Sequence, residues 1–204
     1  MIILFEGTDL TGKSTLAEAL CERLSHQRYK CCKRPILLKE GFFNEINKAV
    51  LKKNFLQPLH NIMFAFSMAY DGLHRQKDSS KVLIQDRYFP SLMSYARSKK
   101  QFGSLLLKLL SPMYINPDFC IMVTCSKEKR IRNYRERSKK CYTDTLVSKD
   151  FEFLLQQEAE IREILHTRGI PTIEIDTTHV QTETSLNQII SELKARSIYF
   201  KDVA

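Results

Sequence analysis

Gly7-Thr8-Asp9-Leu10-Thr11-Gly12-Lys13-Ser14-Thr15 fits the pattern G-x-x-x-x-G-K-[ST], the signature of a loop that wraps a phosphate chain. Its surroundings fit as well. The apolar run Ile2-Ile3-Leu4-Phe5 before it reads as a buried strand. Ser14-Thr15-Leu16-Ala17-Glu18-Ala19-Leu20 after it reads as the first turns of a helix. Gly7 and Gly12 let the backbone approach a phosphate with its N–H groups turned inward. The helix N-terminus adds partial positive charge. In this pattern Lys13 reaches the terminal phosphates and the Ser14 hydroxyl binds Mg²⁺. The remaining loop residues, Thr8, Asp9, Leu10, Thr11 and Thr15, complete the cradle.

Beyond the loop, short apolar strands alternate with amphipathic helices. Strand-like runs fall at 1–6, about 34–38, 81–85, 118–125 and 171–175. Helical stretches fall near 13–27, 44–53, 58–77, 91–111, 126–137, 148–168 and 182–196. This pattern predicts an α/β fold whose parallel sheet is covered on both faces. Ligands of such sheets bind beyond the C-terminal ends of the strands. Three polar clusters sit there: the loop after strand one, Lys39-Glu40 after strand two and Asp86-Arg87-Tyr88 after strand three. They are expected to converge on one cleft.

The chain has 204 residues and is 43% hydrophobic, enough for one domain with its own core. Gly and Pro are scarce at 6 each, so no linker is expected. No apolar stretch approaches the roughly 20 residues of a membrane span. The N-terminus opens directly on a strand, unlike a cleavable signal peptide. A soluble, cytoplasmic protein is therefore expected. Six cysteines without C-x-x-C or zinc spacing are expected to be reduced thiols. The net charge of +9 suits polyanionic ligands. No nucleic-acid motif accompanies it, so a nucleic-acid partner is not expected. Basic residues crowd 127–140, either as a solvated helix face or as a mobile segment closing on phosphates.

Asp86-Arg87-Tyr88 closes an apolar strand. An Asp there suits Mg²⁺, directly or through water, and an Arg can bridge donor and acceptor phosphates with its fork of donors. Here the chain resembles the thymidylate kinase family of nucleoside monophosphate kinases. Phe5-Glu6-Gly7-x-Asp9-x-x-Gly12-Lys13-Ser14-Thr15 is similar to that family's phosphate loop. Asp86-Arg87-Tyr88-x-x-Ser91-x-x-Ser94-Tyr95 is similar to its Asp-Arg-Tyr block. Weaker matches are Lys39-Glu40-Gly41, Asn44-Glu45-Ile46, Phe64-Ala65, Pro117-Asp118, Asp144 with Asp150-Phe151-Glu152-Phe153, and Ile175-Asp176. The resemblance spans nearly the whole chain. It implies a P-loop kinase fold of about five parallel strands flanked by helices, one domain over 1–204, with a short lid segment at about 138–147. It also implies ATP and Mg²⁺, a homodimer, and transfer of a phosphoryl group to a nucleoside monophosphate, by default dTMP to dTDP.

The resemblance also distributes roles. Lys13 and the loop amides hold the ATP phosphates; Ser14 and Asp86 hold Mg²⁺; Arg87 lies between donor and acceptor; Asp9 orients the acceptor. Lid basic residues, foremost Arg137 and then Arg135, Lys139 or Lys140, close over the transferring group. Lys39, Glu40, Phe64, Met68, Ser91 and Tyr95 fall on the acceptor side. Phe64 either stacks on a base or packs in the core. Several positions depart from the family. Met68 stands where the family has a thymine-reading Arg, Lys39 and Leu51 where it has phosphate-binding Arg residues, and Asp144-Thr145 where it has Asp-Arg. Met68 cannot donate a hydrogen bond to a base carbonyl, and such a loss can change selectivity strongly. Two alternatives therefore stand beside dTMP phosphorylation: a kinase of another small acceptor, or a nucleotide-binding regulator with little transfer activity.

Overall fold

The computed structural model describes residues 1–24, 29–32, 62–63, 65–70, 82–98, 103–138 and 142–196. Five strands, β1 (Ile2–Glu6), β2 (Tyr29–Cys32), β3 (Val82–Asp86), β4 (Phe119–Thr124) and β5 (Thr172–Asp176), form one sheet in the order β2-β3-β1-β4-β5. Every pairing is parallel. The expected α/β architecture is therefore present. The central strand is β1, with Phe5 level with Asp86 on one side and Ile121 on the other.

Alternation along β1 explains why both faces are covered. Ile3 and Phe5 point one way and Leu4 the other, as the two-residue period of a strand requires. Ile3, Phe5, Ile121 and Val123 pack on helix α1 (Lys13–Arg23) through Leu16 and Leu20, and on the C-terminal helix Thr182–Ala195 through Leu186, Ile189 and Leu193. Leu4, Cys120 and Met122 pack on the opposite layer. That layer includes helix α2 (Phe89–Ser98), helix α3 (Gly103–Leu110) and the long helix Phe151–Thr167. Residues 65–70 are also helical and contribute Ala65, Met68 and Ala69 to that layer.

Several boundaries differ from those expected. The strand beside β3 is Tyr29–Cys32, earlier than the expected 34–38, which lies outside the described residues. The single helix expected over 91–111 is two, α2 and α3. The helix expected from 148 starts at Phe151, where the Asp150 carboxylate accepts the Phe153 N–H at 3.1 Å; an N-cap of this kind satisfies an otherwise orphaned amide. Before it, Tyr142–Thr145 is a 3₁₀ turn within the expected lid, and Leu146–Lys149 is a short helix, α5, that begins in the lid and runs past its expected end. The basic stretch forms helix α4 (Lys127–Glu136), N-capped by Ser126. The long helix is α6 and the C-terminal one α7. Among the described residues no helix is long and apolar enough to cross a membrane, and Cys21, Cys120 and Cys125 are free thiols.

Candidate active site

The phosphate loop joins β1 to α1 and takes its shape from backbone that ordinary residues avoid. Gly7 has φ +139°, and a Cβ there would lie 2.3 Å from the Val123 carbonyl oxygen of β4. Only glycine lets the loop lie that close to the neighbouring strand. Gly12, at φ +90°, precedes α1 without a side-chain cap, and nothing lies within 4 Å of its absent side chain. The start of α1, whose first amides lack helical partners, lines the cleft through Gly12, Lys13, Ser14 and Thr15, as an anion site needs. Within the loop the Thr11 hydroxyl and the Lys13 ammonium both donate to the Thr8 carbonyl, at 3.1 and 3.2 Å. Thr177, just after β5, donates its hydroxyl to the Thr11 carbonyl at 2.9 Å.

One strand over, Arg87 adopts φ +60°, a left-handed conformation costly for a residue with a side chain. Three hydrogen bonds hold it. Its N–H donates to the Phe5 carbonyl at 2.9 Å, its carbonyl accepts from Gln85 Nε2 at 3.0 Å, and the next amide, Tyr88, donates to Glu6 Oε1 at 3.0 Å. The guanidinium then turns toward the phosphate loop and donates from Nη2 to Asp9 Oδ1 at 2.5 Å. Beside it, Asp86 Oδ1 is buried with no hydrogen-bond partner among the described residues. The Asp86 carboxylate is close enough to Lys13 of the loop to act on its charge, and an orphaned carboxylate oxygen together with the Ser14 hydroxyl at the cleft is a donor set that suits a hard cation or its water; the residue types at Ser14 and Asp86 thus fit Mg²⁺.

A cleft of about 500 Å³ opens over the loop. Asp9, Gly12, Lys13, Ser14, Arg87 and Arg137 all line it. Lys13 is only 5% exposed. Burial, and then the charge of Arg87, push its ammonium down to about 8, against the usual preference of the charged form for water. Arg137 follows α4 and donates from Nη1 to the fully buried Asp144 Oδ1 at 2.7 Å. The altered lid pair thus leaves Asp144 anchoring a basic residue at the mouth of the cleft.

The other predicted site residues fall in several places. Thr8, Leu10, Thr11 and Thr15 belong to the loop, with Leu10 at φ +67°. Ser91 donates its hydroxyl to Glu6 Oε2, and its amide reaches Glu6 Oε1 at 3.5 Å. Tyr95 on α2 meets the Phe153 ring edge-on at 6.3 Å. Met68 is 0% exposed and packs with Ala65, Phe89 and Met93. It is a core side chain in this structure. Lys39, Glu40 and Phe64 lie outside the described residues, as do Leu51, Lys139 and Lys140. Arg135 is exposed on α4.

The framework beneath these groups was less visible in the sequence. Glu6, quoted above only within the Phe-Glu-Gly lead, is fully buried, and burial raises its carboxyl to about 7 against the lowering effect of Ser91, Tyr88 and Arg87. A lone carboxylate closing a buried strand is the signal that could have marked it. Arg130 is neither a solvated nor a mobile member of the basic run. It is 0% exposed and paired with Glu158 at 2.6 Å. Its position one turn before Tyr134, on the half-buried side of α4, is the only hint.

A phosphate-type loop after β1, a carboxylate ending β3 whose Oδ1 has no hydrogen-bond partner among the described residues, an arginine just after it, and Arg137 after α4 at the cleft mouth together define a P-loop phosphotransferase. Comparison with known proteins narrows the class. The family model described as thymidylate kinase matches residues 5–189, and the chain belongs to the thymidylate kinase family. A probable thymidylate kinase of Sulfolobus acidocaldarius is 27% identical over 148 residues, 72% of this chain and 75% of the relative. A thymidylate kinase of Mycoplasmopsis agalactiae is 26% identical over 167 residues, 75% and 76% of the two chains. Thymidylate kinase structures from Candida albicans and Ehrlichia chaffeensis share the fold. Their TM-scores are 0.72 and 0.67, at 21% and 18% identity, covering 96% and 95% of this chain and 92% and 98% of theirs.

Proposed function

We propose that this enzyme transfers the γ-phosphoryl group of ATP to dTMP, giving dTDP and ADP. The observation that carries the proposal is the ion pair between Asp9 of the donor loop and Arg87 of the Asp-Arg-Tyr block. It sets a fixed cation at the boundary between the loop that holds a donor and the open side where an acceptor lies. An oxygen of the dTMP phosphate forms the new P–O bond as the bond from the γ-phosphorus to the ADP oxygen breaks. The acceptor's second pKa is near 6, so its phosphate arrives largely ionised and no general base is required. Catalysis is then positioning and charge neutralisation. Lys13 and the loop amides hold the donor phosphates, Arg87 neutralises charge between donor and acceptor, and Arg137 closes the mouth against water. Ser14 and Asp86 would hold Mg²⁺, which supplies charge neutralisation at the donor phosphates when bound.

The exposed Leu105 and Leu109 on α3 support a homodimer, and the free thiols support a reducing, cytoplasmic setting. ADP release with Mg-ATP and a panel of monophosphates and nucleosides tests the activity. dTMP-dependent turnover is expected. Turnover confined to another acceptor would replace dTMP, and ATP binding without any transfer would leave a nucleotide-binding regulator.

A further inference from the structure

Three buried polar side chains from distant parts of the chain meet beneath the phosphate loop. The Thr8 hydroxyl donates to Glu158 Oε1 at 2.6 Å. Arg130 Nη1 donates to the Thr8 hydroxyl at 2.5 Å, and Arg130 Nη2 donates to the same Glu158 oxygen at 2.6 Å. The three contacts close a ring. Arg130 is completed by Nε, which donates to the Cys125 carbonyl at 3.0 Å. All three residues are buried, at 5%, 0% and 3% exposure.

Such a pair is a poor way to gain stability. Desolvating a guanidinium and a carboxylate costs much of what their attraction returns, and apolar residues of similar volume often serve as well. A closed ring does fix geometry. The single Thr8 hydroxyl hydrogen is committed to Glu158 and a lone pair to Arg130, so the side chain cannot turn without breaking two charge-assisted bonds. The Thr8 carbonyl is the acceptor shared by Lys13 and Thr11. Fixing Thr8 therefore fixes where the lysine ammonium and the loop amides stand.

A second bond lies one turn along the same helix: Asn133 Nδ2 donates to the Leu10 carbonyl at 2.7 Å, where the backbone is left-handed. Helix α4 thus grips the loop at Thr8 and Leu10 before delivering Arg137 to the cleft. We propose that Arg130 and Glu158 are positioning residues of the donor site: acting through Thr8, they hold the phosphate loop in its binding shape and in register with Arg137. The proposal rests on the ATP-dependent kinase reading above.

The test compares T8V, T8S and the apolar pair R130M/E158L with the parent enzyme. Three readouts are taken: Mg-ADP affinity by calorimetry, steady-state KM and kcat for ATP and dTMP, and melting temperature. T8V is expected to weaken Mg-ADP about tenfold, the effect of losing one buried hydrogen-bonded restraint. The KM for ATP should rise with it while the KM for dTMP stays within about twofold. T8S, which keeps the hydroxyl, should bind Mg-ADP like the parent. R130M/E158L should melt near the parent temperature and still bind Mg-ADP weakly. The proposal is overturned if T8V binds Mg-ADP as tightly as the parent, if T8S fails alongside it, or if R130M/E158L keeps both stability and affinity. Should the double variant not fold, T8V against T8S decides alone. Absence of dTMP turnover in the parent would remove the acceptor assignment only, because Mg-ADP binding is read without an acceptor.

Discussion

Arg87 and Asp9 stand 78 positions apart in the chain, yet their side chains meet at 2.5 Å. The contact exists because Phe5 and Asp86 are level across the β1–β3 pair, so the loops after both strands begin side by side. A lysine at 87 would keep the charge and lose the planar fork that can serve a carboxylate and a phosphate together. R87K is expected to lower kcat about a hundredfold or more, the range seen when one preorganised charge donor is removed. Its KM for ATP should change little. Steady-state kinetics check this, and undiminished kcat in R87K would take Arg87 out of the reacting centre.

Lys13 supplies a pH signature. Its ammonium sits near 8 in the unliganded protein, against 10.5 for a free lysine. Bound phosphates favour the charged form. At about pH 8.5 Mg-ADP binding should therefore take up a fraction of a proton that is absent at about pH 6.5. Calorimetry in two buffers of different ionisation enthalpy measures it, and K13M should lack it. Unfolding gives the opposite side of the same linkage. Between about 8 and 10.5 the unfolded chain holds a proton that the folded chain has released, so this group makes the unliganded protein more stable as pH rises through that window.

Glu6 acts in the other direction. Its carboxyl is raised from 4.5 to about 7, so between those values the folded state holds the extra proton and stability falls as pH rises. The difference corresponds to about 3 kcal/mol at 1.36 kcal/mol per pH unit. E6Q should flatten this part of the stability–pH curve, as thermal melts across about pH 4.5–7.5 would reveal. It should also lower kcat, because an amide cannot accept at both oxygen positions from Tyr88 and Ser91, which hold the backbone after Arg87. A pH curve identical to the parent's would mean that Glu6 does not titrate there.

Met68 makes a contrasting case. By sequence position alone, an arginine at 68 invites a shift of base preference toward thymine. In the fold, Met68 is sealed among Ala65, Phe89 and Met93, and its carbonyl accepts the Tyr88 hydroxyl at 3.3 Å. A guanidinium placed there is a buried, unpaired charge, expected to cost at least about 3 kcal/mol. M68R should melt well below the parent and M68L close to it. A stable M68R with altered base preference would show that this side chain reaches the acceptor pocket.

What could be read from the chain and what could not divide by distance. The loop from Gly7 to Thr15 and the block from Asp86 to Tyr88 are contiguous, and each carries its chemistry in neighbouring residues. Their convergence followed from placing both at strand ends in a parallel sheet. Tyr29-Lys30-Cys31-Cys32 contains no aliphatic residue and so gives no strand signal of its own, while the aliphatic Ile36-Leu37-Leu38 nearby does. The Thr8–Arg130–Glu158 ring has no local trace. Its members are up to 150 positions apart, and nothing in the basic run around Arg130 marks that residue as the buried one. Asp86 was legible as an acid at a strand end, but its unpartnered oxygen is a property of packing and needed coordinates.

The backbone amide of Arg87 is bonded to the Phe5 carbonyl of the central strand. The arginine proposed to bridge donor and acceptor is thus, by its own main chain, the last rung of the sheet. For isotope exchange this matters: such an amide can trade its proton only when the β1–β3 ladder parts, the kind of opening that approaches global unfolding. In a hydrogen-exchange time course the Arg87 amide should therefore age with the core, while neighbouring surface amides are replaced early. The proposed reacting centre would then keep the clock of the least yielding part of the molecule.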